Sequence, residues 1–191
     1  LSYNGVTNMR AILCKEYGPA ETLVIEDVTS PVVKGHGVKV RVKAAGLNFP
    51  DTLIIEGKYQ LKPTMPFSPG GEMSGEVIEV GEKVTRFKPG DRVAGLTGYG
   101  AFAEEVVVPE QNILPIPESM SDEKAAAFSM VYGTSYYALK QRANIQPGET
   151  LLVLGASGGV GLATVELGKA MGAHVIAAAS TAEKLAVAKE A

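Results

Sequence analysis

Hydrophobic and polar positions change their rhythm once along this chain, and the change divides it. From Met9 to about Gln111 the runs are short, and in VKVRVKAAGL Val38, Val40 and Val42 stand against Lys39, Arg41 and Lys43. A period of two puts the valines on one face and the cations on the other, the pattern of a half-buried β-strand. GEMSGEVIEVG and AFAEEVVVP read the same way, and KPGDRV supplies a turn between two such strands. One helix interrupts this β region over NFPDTLIIEG. Pro50 suits its first turn, where the missing N–H has no intrahelical partner to lose, and Asp51 complements the positive end of the helix.

After Pro117 the rhythm lengthens. SMSDEKAAAFSMVYGTSYYALKQRANI opens on Ser121 or Asp122 as a cap and continues in alanine-rich, helix-favouring sequence. Gly133 is expected to break it into two helices. ETLLVLG follows as a continuous apolar run, the pattern of a strand buried on both faces. Val160, Thr164, Leu167 and Met171 then recur at helical spacing, and AHVIAAAS returns as another apolar strand. Strand, helix and strand joined by short turns make a βαβ unit, so the fold class is α/β. The change of regime falls within residues 117–130 and gives domains of 9–125 and 126–191. Residues 1–8, LSYNGVTN, read as an expression remnant.

Between the apolar strand and its helix lies GASGGVG, in which Gly155, Gly158 and Gly161 form G-x-x-G-x-x-G and Gly159 is additional. The first glycine lets the chain turn sharply, the middle ones let backbone approach a pyrophosphate, and the last lets helix and strand pack closely. Ser157 and Val160 belong to the same cradle, which presents the N-terminal end of a helix to an anion. A tight turn that merely needs small residues is the alternative; a buried strand before and a helix after favour the cradle. No Gly-Lys-Ser/Thr follows, so it is not a P-loop. About 20 residues on, NAD enzymes keep an acid for the ribose hydroxyls. Here the sequence reads AASTAEK, with Ser180 and Thr181 at that place and Lys184 one helical turn later. A hydroxyl and an ammonium suit a 2′-phosphate, which points to NADPH as cofactor. Ser180 can equally cap the last helix while Lys184 is a solvated charge, and the two roles can coexist.

Composition narrows the remaining possibilities. The chain has 191 residues, 46% hydrophobic and 20% charged, with a net charge of −3 and a single cysteine. That balance is ordinary for a globular protein and argues against nucleic acid or an anionic membrane as partner. No apolar run reaches the roughly 18 residues of a membrane span, no signal-peptide plan is visible, and a cytoplasmic location is the expectation. Zinc needs three or four ligands, usually in close pairs, whereas Cys14, His36 and His174 are scattered singly; no metal is expected.

Several motifs in order, AAGLNFPDTLIIEGKY, PFSPGGEMSGEVIEVGEKVTRFKPGDRV, GAFAEEVVVP and GASGGVG, make the chain from Met9 to Ala191 resemble the zinc-independent quinone oxidoreductase branch of the medium-chain dehydrogenase/reductases. The resemblance implies a GroES-like β domain followed by a Rossmann doubly wound domain, here incomplete, with the active site in the cleft between them. Zinc-dependent alcohol dehydrogenases carry a zinc-binding cysteine where this chain has Asn48 and a histidine where it has Gly71. Without zinc nothing strongly polarises an alcohol or ketone, so the favoured acceptors are quinones or other conjugated carbonyls and alkenes. An enoyl-CoA or acrylyl-CoA reductase is the alternative, and a cofactor-binding protein or fragment without turnover is a second. The resemblance makes Tyr59 a candidate proton donor, with an aromatic packing role as its rival. Asn48 is a candidate for the nicotinamide ribose or carboxamide, and Asp51, one helical turn on, orients it or caps the helix. Thr134 matches a cofactor-contacting threonine and can instead cap a helix. A full-length member is expected to be a homodimer acting on a small-molecule quinone, enone or enoyl thioester. Only two Rossmann strands lie within the chain, whereas such a domain uses about six, so a fragment of a full reductase is the expectation.

Overall fold

The alternating stretches become antiparallel strands. In the computed structural model, which describes residues 8–191, β1 (Asn8–Leu13) pairs with β2 (Val24–Thr29). A second sheet takes β3 (Gly37–Gly46), β4 (Glu72–Val80), β5 (Arg92–Leu96), β6 (Glu105–Pro109) and β7 (Ile113–Pro115) in the order β6-β3-β4-β5-β7, every pairing antiparallel. Helix α1 (Phe49–Ile55) leaves the end of β3, and α2 (Asp122–Ala126) packs on β3 and β4. Val38, Val40, Met73, Val77, Val93, Val108 and Ile113 fill the sheet's core. The strand pattern of VKVRVKAAGL is realised, with Val38 and Val40 buried and Arg41 and Lys43 exposed. β1 takes in Asn8, which the sequence reading assigned to the remnant; the rest of the expected remnant lies outside the described residues.

Helix α2 ends a first compact unit at Ala127, and Phe128–Ala191 form a second. The second unit runs α3 (Ser129–Tyr136), a π-helical turn over Tyr137–Arg142, β8 (Thr150–Leu154), α4 (Gly159–Ala170), β9 (His174–Ala178) and α5 (Ala182–Glu190). Strands β8 and β9 are parallel and in register from Thr150–His174 to Leu154–Ala178, which is the βαβ unit. Val153, Ala156, Val165 and Ala188 form its core, with Leu151, Leu162, Val175 and Ala177 packed against them.

Three local expectations need correction. The helical stretch breaks at Ala127–Phe128, and Gly133 sits inside α3. Helix α2 is capped by Ser121, whose Oγ accepts from the Lys124 N–H, and it packs on the first sheet, while α3 packs on α4. The chain breaks where it passes from one unit to the other; a helical glycine costs only about 1 kcal/mol against alanine, which the α3–α4 packing tolerates. ETLLVLG is buried on one face: Val153 is buried, whereas Leu152 and Leu154 are exposed, because α4 and α5 cover only the other side of the β8–β9 pair. On α4, Val165 and Leu162 reach the strand core, whereas Val160 and Thr164 of the predicted stripe meet Ser135 of α3.

Candidate functional site

In the second unit the site is built from backbone. Strand β8 runs into Gly155, whose φ of +66° is a left-handed conformation that L side chains rarely adopt. The turn closes through Gly158 N–H donating to Gly155 O at 3.0 Å and Ala156 N–H to Ala178 O at 3.0 Å, which ties the loop to the end of β9. A Cβ on Gly161 would lie 2.3 Å from Gly155 O and 2.8 Å from Ala156 Cα, so only glycine lets the first turn of α4 sit on the loop. Gly159 serves another contact: its added Cβ would lie 3.0 Å from Val131 Cγ1, so it brings α3 close to α4. At Gly158 the nearest atom to such a Cβ is Gly155 O at 3.5 Å, ordinary contact that leaves the loop surface open. The first-turn N–H groups of α4, those of Gly159, Val160 and Gly161, have no intrahelical acceptors and, with the helix dipole, are suited to an anion.

Gly155, Ser157, Ser180 and Lys184 line one cavity of about 340 Å³. Within it Lys184 Nζ donates to Ser180 Oγ at 3.2 Å. The cap of α5 is Thr181, whose Oγ1 accepts the Lys184 N–H at 3.3 Å, which corrects the capping role given to Ser180. Thr134 is exposed in the interior of α3, and so is no cap either. Its neighbour Ser135, absent from the sequence-based candidates, is buried; its Oγ donates to Val160 O at 3.0 Å and lies 3.0 Å from Thr164 Oγ1. Ser135 thereby fixes the first turn of α4 from behind. Its signal in the sequence was a polar residue on the buried face of an otherwise exposed helix, a face that only the packing partner defines.

In the first unit the site is built from buried carboxylates. Asn48 is the N-cap of α1, and its N–H donates to Asp51 Oδ2 at 2.8 Å. Asp51 is 3% exposed, and the N–H groups of Gly70 and Gly71 also donate to its carboxylate. Burial pushes the Asp51 carboxyl above its ordinary range, and the three N–H donors partly offset that. Asn48 Nδ2 donates to Glu72 Oε1 at 2.8 Å, and Glu72 is only 1% exposed. Glu72 also escaped the sequence analysis; the available sign was an acid heading an apolar strand directly after two glycines, at the same strand parity as buried Ser74. Asn48 and Asp51 are therefore brought together. Tyr59 is half-buried against the cluster of Cys14, Ile54, Ile55 and Phe67, so the packing role is real whatever else its phenol does.

Among the described residues no three His, Cys, Asp or Glu side chains are grouped so as to hold a metal ion. Cys14 is buried with its Sγ donating to Glu16 O at 3.1 Å, and burial raises its thiol pKa. His36 Nδ1 lies 3.0 Å from Glu110 Oε1, and His174 is an exposed residue of β9. Among the described residues, too, no helix is long and apolar enough to cross a membrane.

Comparison with known proteins agrees with this arrangement. Residues 34–118 match the alcohol dehydrogenase GroES-like domain. With the βαβ unit and glycine turn that follow, they define a medium-chain dehydrogenase/reductase. The chain is 48% identical over 189 residues to quinone oxidoreductase-like protein 2 homolog of Nematostella vectensis, covering 97% of this chain and 51% of that protein. Against mouse quinone oxidoreductase it is 41% identical over 177 residues, covering 92% and 54%. Escherichia coli quinone oxidoreductase, whose crystal structure is a complex with NADPH, superposes with a TM-score of 0.90 at 34% identity, covering 95% of this chain and 56% of that one. Within the superfamily, the chain belongs to the quinone oxidoreductase branch. It spans about half the length of the curated relatives it matches.

Proposed function

We propose that the protein is an NADPH-dependent reductase that transfers hydride to quinones or other conjugated carbonyl and alkene acceptors. The observation that carries the cofactor assignment is the Ser180–Lys184 pair inside the glycine-loop cavity. An ammonium held 3.2 Å from a hydroxyl offers a dianionic 2′-phosphate two donors and offers the bare ribose of NADH no acid to accept its hydroxyl protons. The NADPH complex of the E. coli relative supports the same reading, and the relatives' names support quinones as acceptors.

In this reading residues 126–191 form the first part of the NADP-binding domain and 9–125 the catalytic domain. Gly155, Ser157, Gly158, Gly159, Val160 and Gly161 cradle the pyrophosphate, and Thr134 contacts the cofactor from α3. Asn48 hydrogen-bonds the nicotinamide ribose or carboxamide, with Asp51 holding its backbone in place. Bound NADPH would supply the hydride and the acceptor would need a proton, for which Tyr59 is the candidate donor.

Fluorescence titration with NADPH and with NADH tests this directly. NADPH should bind saturably and more tightly than NADH, and Lys184→Ala should weaken NADPH about ten- to hundredfold, the worth of one charge-assisted contact, while leaving NADH unchanged. Equal affinity for the two cofactors would remove the 2′-phosphate site.

A further inference from the structure

Asn48 is gripped at two points by two carboxylates, and the two grips do different work. Asp51 takes its backbone N–H and so belongs to the start of α1. Glu72 takes its side-chain Nδ2 and so belongs to the functional group itself. We infer that Glu72 is a positioning residue: the bond from Asn48 Nδ2 to Glu72 Oε1 sets which way the Asn48 carboxamide faces the cofactor. The inference rests on the proposed role of Asn48 toward nicotinamide.

The chemistry of the pair gives it direction. A primary amide has a donor end and an acceptor end of nearly equal size, and nothing in its shape decides between them. In the structure the donor end of the amide faces Glu72 Oε1, and a flipped Asn48 would put its carbonyl oxygen against that oxygen in place of a donor. One orientation is thereby selected. The acceptor is closely packed: Oε1 would lie 2.4 Å from a Cβ on Gly46, whose added Cβ would also meet Ala126 O at 2.6 Å. Gly46 thus makes the room in which the carboxylate sits, at the end of β3 two residues before Asn48. Next to Glu72 on the same face, Ser74 Oγ donates to Asp122 O at 2.6 Å and pins the start of α2 over the sheet. Strand β4, the glycine of β3 and helix α2 enclose a polar group that the hydrophobic core does not require, on the side of the sheet opposite Met73 and Val77.

A methionine matches a glutamate in volume, and although removing one partner of a buried bond costs stability by leaving the other unpaired, it leaves no space empty. Glu72→Met therefore removes the acceptor while filling the space, and Glu72→Gln restores an oxygen. Two readouts decide. In the ¹⁵N spectrum of this chain the Asn48 side-chain amide should shift and gain mobility in Glu72→Met and return toward the original in Glu72→Gln; an unmoved Asn48 amide would overturn the inference whatever the activity. In the whole protein, NADPH-to-quinone turnover by Glu72→Met should fall about ten- to hundredfold, the cost of a reacting group displaced by about 1 Å. The double variant Asn48→Ala, Glu72→Met should be no slower than Asn48→Ala alone, because one residue acts through the other. Strictly additive losses would mean that Glu72 matters only to the fold and would overturn the inference. Full turnover in Asn48→Ala would instead refute the role of Asn48, with the amide spectrum still reporting on what Glu72 holds.

Discussion

The two units position their functional groups by opposite means. In the first, side chains do it: Asp51 of α1 and Glu72 of β4 are buried, and they hold Asn48 at 2.8 Å each. In the second, backbone does it: Gly155 turns, Gly161 admits the helix, and the proposed cofactor site offers N–H dipoles with an exposed serine and lysine at the rim. A phosphate is large and multiply charged, and a ring of N–H groups recognises it well enough. A nicotinamide must face its acceptor in one orientation, which asks for directed side chains.

The strongest way to break this comparison lies at Tyr59. If the first unit also delivers a proton, Tyr59→Phe should lower turnover with enoyl or quinone acceptors about a hundredfold, the low end for loss of a general acid, while NADPH affinity stays as it was. Unchanged turnover would leave Tyr59 as a member of the Ile54–Phe67 cluster only. Next in size comes the glycine loop, where two similar substitutions should separate packing from binding. Gly161→Ala forces a Cβ to within 2.3 Å of a carbonyl oxygen and should destabilise the second unit by about 1–3 kcal/mol, seen as a lower urea midpoint. Gly158→Ala, with its nearest contact at 3.5 Å, should keep that midpoint and still weaken NADPH, because the new methyl stands on the open loop surface. If Gly158→Ala bound NADPH normally, the loop would be a turn and no cradle.

Much of this was legible in the sequence because it is local. The alternation of Val38, Val40 and Val42 gives the strand, Pro50 and Asp51 give the start of α1, and the spacing of Gly155, Gly158 and Gly161 gives the turn. The break of the helical stretch was misplaced because Gly133 is a local signal, whereas the real break follows from which sheet or helix each half packs upon. Ser135 and Glu72 were missed for the same reason. Each is polar and buried, and what it bonds to lies about 25 residues away in sequence, Val160 for one and Asn48 for the other. Periodicity identifies the apolar face of an element and is silent about a polar group that a distant partner makes tolerable. The apolar run ETLLVLG misled in another way. Its composition describes a strand meant to be covered on both faces, and within this chain only one face is.

That last discrepancy is the smallest in energy and sharpens the comparison most. Val153 is 5% exposed and Leu154, the next residue, 75%, with Leu152 at 58% and Ile176 at 54% on the same open face. Val153→Ala should cost this chain roughly 1–3 kcal/mol through lost burial and an unfilled space. Leu154→Ser, larger as a chemical change, should stay within about 0.5 kcal/mol because most of the side chain is already in water. Both are read from urea midpoints at one slope. If Leu154→Ser cost as much as Val153→Ala, the open face would be covered in solution, and sedimentation of the chain would show whether a second copy covers it. An apolar face of this kind is a surface that association removes from water, and the βαβ unit would then owe part of its stability to concentration.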